Sequence, residues 1–267
     1  MYNITSICFG NKYRPIREHW EKMINNNCIK NNKVTIWDTS NILQSDIKVP
    51  KEYAYWDSIR LKKNIDLLIK EKKPVAHCDM DIILKNDINE IVNLPYDFII
   101  STEIGKNNSF PKECSNKLGF GVCSGFYIIK LTSLTFIMKI LKNMIEKKHN
   151  SYSDQVNLMN YIVSSDYKLH VKEEIINGNV YNNKIIEIDG IKICVLDFEL
   201  IERDPIIPKK QIGMHINIDN VGGINNFIKY FYEKLEDLPL TCRCGKKHLG
   251  DHNICKHIEL RKNKIIP

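Results

Sequence analysis

The chain has 267 residues with 43% hydrophobic content and a formal net charge of +7, which is typical of one globular domain with a large core. No apolar stretch approaches the roughly 20 residues that span a bilayer and no secretion signal begins the chain, so its nine cysteines are expected to be reduced thiols in the cytoplasm. The positive charge favours anionic ligands, but lysines are interleaved with acidic residues, so a nucleic-acid partner is not indicated.

The first half of the sequence alternates strand and helix patterns. Residues 4–9 form a short apolar run, and residues 14–24 have the spacing of an amphipathic helix. Residues 34–37 form a second β-type run, and Asp57 can cap a helix that ends before Pro74. This alternation predicts a mainly parallel sheet, whose ligands lie outside the carboxyl ends of its strands.

Two aspartates, Asp79 and Asp81, follow the next apolar run and are separated by one residue. In an extended strand residues i and i+2 share a face, so both carboxylates are expected to point together beyond the strand end. Two like charges at such a distance need a cation or a proton between them. Hard oxygen ligands suit Mg²⁺ or Mn²⁺, which in turn suit a phosphate-bearing substrate.

The second half is predicted to be less regular and partly antiparallel. Asp189-Gly190 is a strong two-residue hairpin signal between two apolar runs, residues 185–188 and 191–196. The other predicted elements are strands at 97–101 and 122–130 and helices at 133–147, 154–164 and 226–235.

The end of the chain has clustered cysteines and histidines. A change of composition divides the chain into a larger domain at 1–238 and a Cys/His-rich appendage at 239–267. A structural Zn²⁺ needs four ligands and would supply folding energy to so small a segment. The spacing C-x-C is less typical of zinc than C-x-x-C, so a basic tail with incidental thiols is the alternative. The candidate zinc ligands are Cys242, Cys244, Cys255 and His257, with His252 as the alternative to His257.

Five segments, in their order along the chain, resemble the metal-dependent glycosyltransferases of the GT-A fold. That family carries a D-x-D sequence at the end of a strand in a Rossmann-like sheet, which Asp79 and Asp81 match. Thr5 and Ser6 match the segment that lines the nucleotide base in that family, and Arg60 matches the basic residue on the helix that approaches the donor. Ser124 and Gly125 match the strand beneath the transferred sugar. Asp154 and Gln155 match the pair that opens the helix next to that sugar.

The resemblance implies an α/β fold with a mixed GT-A sheet flanked by helices. It also implies transfer of a sugar from a nucleotide-diphosphate donor, commonly UDP, to a hydroxyl acceptor on a glycan, a protein or another molecule. Asp81 would ligate Mn²⁺ or Mg²⁺, Asp79 would contact the ribose or reach the metal through water, and His215 would complete the metal shell. Asp154 would act as a general base or position the sugar. Cys123 stands where the family usually has Asn.

The motifs also have simpler interpretations. A D-x-D sequence is compatible with a solvated strand end, and Asp154 with an ordinary charge at a helix N-terminus. Arg60 is expected either to offset diphosphate charge, as is Lys63, or to lie on a solvated helix face. His215 is compatible with a buried histidine whose hydrogen bonds are satisfied.

Two other functions fit parts of the sequence. In a haloacid-dehalogenase-like phosphatase, the D-x-D sequence supplies a nucleophile and an acid around Mg²⁺, but that motif normally opens its domain, whereas two predicted secondary-structure units precede Asp79. In a basic binding module organised by the Cys/His-rich appendage, the aspartate pair would be incidental and most of the chain would have no role.

Overall fold

The computed structural model describes residues 1–28, 30–39, 55–103, 111–151, 153–203, 212–216, 218 and 223–232. The predicted zinc ligands Cys242, Cys244, Cys255 and His257 lie outside these residues. Within the described part, six cysteines carry free thiols and all six are buried, as expected for reduced thiols. No helix of this part is both long enough and apolar enough to cross a membrane.

An eight-stranded mixed sheet lies at the centre of the described residues, in the order β2-β1-β3-β6-β5-β9-β8-β7. Strand β1 pairs in parallel with β2 on one side and with β3 on the other, whereas β6 runs antiparallel to β3 and β5. A smaller sheet has the order β10-β11-β4. The strands are β1 (Tyr2–Cys8), β2 (Asn31–Asp38), β3 (Val75–Cys78), β4 (Ile82–Leu84), β5 (Phe98–Glu103), β6 (Gly121–Ile129), β7 (Lys168–Ile176), β8 (Asn179–Ile188), β9 (Ile191–Val195), β10 (Ile201–Arg203) and β11 (Gly213–His215).

Helices cover both faces of the large sheet, because alternate residues of its buried strands point to opposite sides. On β6, Phe126 and Ile128 join a core with Trp20 of α1, whereas Tyr127 and Ile129 join a second core with helices α2, α5 and α6. The helices are α1 (Gly10–Asn27), α2 (Tyr55–Glu71), α3 (Asn89–Asn93), α4 (Lys112–Leu118), α5 (Leu134–Ile145), α6 (Asp154–Ser164) and α7 (Ile224–Lys229).

The strands β4 and β11 of the small sheet approach each other closely at Gly213. This residue is paired with Leu84 in the antiparallel register. A Cβ atom at Gly213 would lie 2.8 Å from Leu84 Cδ2 and 3.2 Å from the Ile83 carbonyl oxygen. Glycine therefore permits this strand pairing, which places His215 opposite Ile82.

The predicted hairpin at Asp189-Gly190 is confirmed. Both residues have positive φ, 52° and 76°, and they connect β8 to the antiparallel β9. A second hairpin, which the sequence interpretation missed, joins β7 to β8 through Asn177 and Gly178, with φ of 48° and 75°. Asn-Gly is as strong a hairpin signal as Asp-Gly, so the pattern was present in the sequence.

Candidate active site

Asp79 and Asp81 lie in a turn at the carboxyl end of β3. The strand stops at Cys78, and the Ile82 amide donates a hydrogen bond to the Asp79 carbonyl over 3.0 Å. The two aspartates therefore lie in a turn and not in the extended backbone that the sequence interpretation assumed. The chain reverses here because β4 enters the small sheet instead of continuing β3.

Each end of this turn is bound to a different sheet. The Asp79 amide donates to the carbonyl of Gly125 on β6, at 2.8 Å, and the carbonyl of Asp81 accepts from the Ile216 amide at 2.9 Å. Ile216 directly follows β11. The two aspartates are consequently positioned by their anchors on the two sheets as well as by the turn itself.

A bulge in β6 lies beside the turn. Tyr127 is paired with Ile100 on β5, but the next β5 residue, Ser101, is paired with Cys123. Residues 124–126 therefore have no register partner on β5, and the strand bends locally, as bulges next to active sites commonly do.

Gly125 in this bulge leaves room for two side chains. A Cβ atom at this position would lie 3.2 Å from Asp79 Oδ2, 3.1 Å from His215 Cε1 and 3.3 Å from Ile82 Cδ1. These distances are shorter than ordinary van der Waals contacts, so any larger residue would displace a neighbour. Glycine thus allows Asp79 and His215 to approach the same point.

Arg60 of α2 is buried and binds three carboxylates. Its Nη1 donates to Asp79 Oδ1 at 3.1 Å, and its Nη2 donates to Asp154 Oδ2 at 2.6 Å and to Ser124 Oγ at 3.2 Å. Asp57 Oδ1 lies 3.3 Å from the same Nη2. Because only 3% of Arg60 is exposed, the solvated-face interpretation is wrong. Its charge is already balanced by protein carboxylates.

This arrangement shifts three pKa values. Burial opposes the charged form of Arg60, but Asp154, Asp57 and Asp79 together raise its pKa well above the usual value. Burial also favours neutral Asp79, yet Arg60 and the His77 imidazole lower the pKa of Asp79 to about 2. Burial, followed by repulsion from Asp154 and Asp79, raises the pKa of Asp57 to about 8. The site therefore favours the protonated form of Asp57 and the ionised form of Asp79.

His77 connects Asp79 to a buried polar network. Burial lowers the pKa of His77, so the ring is neutral and its Nε2 donates to Asp79 Oδ1 at 2.8 Å. Its Nδ1 lies 3.3 Å from Thr5 Oγ1, and the Thr5 hydroxyl donates to Asn64 Oδ1 at 2.7 Å. The Asn64 amide donates to the Tyr127 hydroxyl at 2.6 Å, and the Tyr127 ring stacks on His77. The network fixes the orientation of the Asp79 carboxylate.

On the other side of the turn, Asp81 faces His215. His215 Nε2 lies 3.3 Å from Asp81 Oδ1, an ion-pair distance, but this oxygen accepts no well-aligned hydrogen bond. Cys123 Sγ lies 3.4 Å from His215 Nδ1. Burial opposes the charged imidazole, but Asp81 and Cys123 outweigh it and raise the pKa of His215 well above its usual value.

The chemistry of these side chains fits a divalent ion. Carboxylate oxygens and an imidazole nitrogen are common ligands of Mn²⁺, and the unpartnered Asp81 Oδ1 is a buried acceptor that an ion would satisfy. In the part of the chain that the structure describes, no three His, Cys, Asp or Glu side chains stand at metal-binding spacing. Asp81 and His215 could supply two donors to such an ion, and its other ligands would have to come from elsewhere.

Asp154 and Gln155 begin α6 next to the bulge. Asp154 Oδ1 accepts from the Gln155 amide at 2.7 Å, while its Oδ2 binds Arg60. The Gln155 side chain donates to Glu103 Oε2 at 3.1 Å, and Glu103 is buried at the end of β5. The carboxylate of Asp154 therefore does more than cap a helix, because it is fixed against α2.

The other residues predicted to bind the donor lie outside the cluster around Arg60. Thr5 and Ser6 are fully buried in β1, with the Thr5 hydroxyl engaged in the interior network and the Ser6 hydroxyl unpartnered. Lys63 is exposed on α2. The structure thus brings together Arg60, Asp79, Ser124 and Asp154, with Gly125 beside them.

Three aromatic rings lie at the carboxyl end of β1 and the start of α2. The Phe9 ring centroid is 6.3 Å from that of Tyr13 and 6.4 Å from that of Trp56, both in edge-to-face geometry. All three residues are half-buried. The sequence interpretation missed them because their spacing in the chain shows no common face.

The sequence matches no protein-family model. It also matches no curated protein. Fold similarity is detected instead with solved structures, among which are glycosyltransferases.

One similar structure is a glycosyltransferase involved in the glycosylation of the major capsid of PBCV-1, with a TM-score of 0.55 and 12% identity over 86% of this chain and 98% of that chain. Another is the galactosyltransferase LgtC in complex with donor and acceptor sugar analogs, with a TM-score of 0.52 and 11% identity over 88% of this chain and 96% of that chain. At such identities the likeness shows the fold, and it confirms the predicted GT-A architecture.

Proposed function

We propose that the chain is a metal-dependent glycosyltransferase that moves a sugar from a UDP-sugar to a hydroxyl group of an acceptor. The observation that carries this proposal is the turn from Asp79 to Ile82 at the carboxyl end of β3, with His215 beside Asp81. Carboxyl ends of parallel strands are where α/β sheets bind their ligands. The shared fold with glycosyltransferases supports this assignment.

Asp81 Oδ1 and His215 Nε2 would hold Mn²⁺ or Mg²⁺, with Asp79 Oδ2 as a further donor, since it lies with the His215 ring above Gly125. A bound divalent ion supplies charge neutralisation for the diphosphate leaving group. Asp79 Oδ1 already accepts from Arg60 and His77, so this carboxylate keeps a single orientation. Its Oδ2, above Gly125, is then directed to the ion or to the ribose.

The aromatic rings of Phe9, Tyr13 and Trp56 would form the nucleotide-base side of the site. They lie at the carboxyl end of β1, next to the strand that carries Asp79, and they are partly exposed. A nucleotide base can stack on such rings, which contributes about 1–3 kcal/mol per base. We therefore assign base binding to these side chains, in place of the buried Thr5 and Ser6.

Asp154 would face the transferred sugar as a fixed group. Each of its oxygens is already engaged, one by Arg60 and one by the Gln155 amide. These contacts hold the carboxylate in one orientation, which favours a positioning and electrostatic role. Ser124 and Gln155 lie beside it and offer polar groups to sugar hydroxyls.

The proposal is tested by titrating the purified chain with UDP and with a panel of UDP-sugars in the presence of Mn²⁺. Calorimetry should show UDP binding that is lost with EDTA and in Asp81→Asn, and slow hydrolysis of at least one donor should be measurable. Asp66→Asn is the matched control, because Asp66 is exposed on α2 and paired with Lys62. Metal-independent UDP binding, or none, would contradict the proposal. Release of phosphate from a phosphomonoester, lost in Asp79→Asn, would favour a phosphatase.

A further inference from the structure

The imidazole of His215 has a neighbour at each ring nitrogen. Nε2 faces Asp81 Oδ1 at 3.3 Å, and Nδ1 faces Cys123 Sγ at 3.4 Å. The ring edge at Cε1 lies over Gly125, where a Cβ atom would be only 3.1 Å away. The ring is therefore enclosed on three sides, and His215 itself is buried.

The ring nitrogen that faces Cys123 determines what the other nitrogen can do. A neutral imidazole carries one proton, so the ring can offer the Nε2 lone pair to a metal only when Nδ1 holds that proton. Histidine ligands usually donate this second N–H to an acceptor, which fixes the tautomer and the ring orientation. In this chain the atom at that position is the sulfur of Cys123, at a distance compatible with a hydrogen bond to sulfur.

We propose that Cys123 is a positioning residue, which accepts the Nδ1–H of His215 and so directs Nε2 of the ring to the metal. This inference rests on the proposed function, because it assumes that His215 binds the ion. The sulfur contributes no direct bond to the metal, since it contacts the ring nitrogen that points away from Asp81.

The backbone of Cys123 is held well enough for this role. Cys123 is the last β6 residue before the bulge that still pairs with β5, where it stands opposite Ser101. The Ser101 hydroxyl donates to the Cys123 carbonyl at 2.8 Å. Only 6% of Cys123 is exposed, so water does not compete effectively for the imidazole N–H. The sulfur position is thus fixed by the sheet.

The first measurement is the Mn²⁺ affinity of the full chain without nucleotide, from the electron paramagnetic resonance signal of free Mn²⁺. Cys123→Ala removes the acceptor and should raise the Mn²⁺ dissociation constant about tenfold, the lower end of the usual effect of losing such a partner. Cys123→Ser keeps an acceptor and should remain within about threefold of the unmodified chain. Cys194→Ala, at a buried thiol on β9, is the matched control and should not change the affinity.

The second measurement is the tautomer of His215 in the metal-free protein, from long-range ¹H–¹⁵N NMR spectra at a pH where the ring is neutral. The Nδ1–H form should dominate in the unmodified chain and in Cys123→Ser, and lose population in Cys123→Ala. Equal Mn²⁺ affinity in Cys123→Ala and the unmodified chain would overturn the inference and leave the proposed function intact. Absence of Mn²⁺ binding in the unmodified chain, with and without UDP, would overturn both.

Discussion

Arg60 Nη2 lies 2.6 Å from Asp154 Oδ2, and this buried ion pair joins the middle of α2 to the first residue of α6. The same guanidinium reaches Asp79 at the end of β3 and Asp57 one turn earlier on α2. One guanidinium therefore contacts three acidic side chains, one on its own helix and two from other elements of the fold. The stability of the chain and the geometry of the candidate site consequently depend on the same side chain.

Arg60→Met should destabilise the folded chain by about 3–5 kcal/mol, because it leaves buried carboxylates without their counter-charge. The measurement is urea unfolding followed by circular dichroism. Lys62→Met is the matched control, since Lys62 is exposed on the same helix and pairs with Asp66, so its loss should cost less than about 1 kcal/mol. Equal effects of the two variants would contradict the central role of Arg60.

The pKa of Asp57 predicts a specific pH dependence. Its folded pKa of about 8 lies above the usual value of 3.8, so between these values the folded state binds more protons than the unfolded state. Stability from this group is therefore present at low pH and declines as the pH rises towards 8, with a slope of at most about 1.4 kcal/mol per pH unit. Asp57→Asn should remove the decline. The free energy of unfolding of the variant, minus that of the unmodified chain, should therefore increase from pH 5 to pH 8.

This pH dependence is measured by urea unfolding at several pH values. Asp66→Asn, at an exposed position of the same helix, should instead give a curve parallel to that of the unmodified chain. A parallel curve for Asp57→Asn would mean that Asp57 is already ionised at neutral pH.

Tyr127→Phe removes the hydroxyl that accepts from the buried Asn64 amide. An unsatisfied buried donor should cost about 1–3 kcal/mol, whereas removing both partners should cost less than the sum of the single changes. A double-mutant cycle with Asn64→Leu, measured by thermal unfolding, isolates the coupling. Strict additivity would show that the two side chains do not interact.

Gly125→Ala should weaken Mn²⁺-dependent UDP binding at least about tenfold, because its Cβ atom would displace Asp79 or His215, and overpacking should also cost about 1–3 kcal/mol of stability. Calorimetry with UDP and Mn²⁺ measures the first effect. Gly178→Ala is the control: it has a φ of 75° and open space around it, so it should lose stability without a change in UDP binding. Unchanged binding in Gly125→Ala would place the ligand elsewhere.

Much of the fold could be predicted because its signals are local. Helix α6 begins and ends at the predicted residues 154 and 164, and the Asp189-Gly190 turn has the dihedral angles that its sequence requires. The bulge in β6 could not be predicted, since it depends on the register between β5 and β6, which only the assembled sheet determines.

The partners of the site residues were predictable only in part. His77 precedes Asp79 by two residues and Asp57 precedes Arg60 by three, so sequence spacing could have placed each beside its neighbour. The contact between Arg60 and Asp154 spans 94 positions of the chain and has no local signal. The turn at Asp79–Ile82 also had no local signal, because it arises where the chain switches from one sheet to the other.

Gly213 links the small sheet to the proposed metal site. It allows β11 to approach β4, and His215 follows two residues later on the same short strand. The separation of these two strands would therefore set the gap between the His215 and Asp81 side chains, and with it the radius of an ion that both could bind. Selectivity between Mg²⁺ and Mn²⁺ would then be sensitive to a residue that touches neither ion.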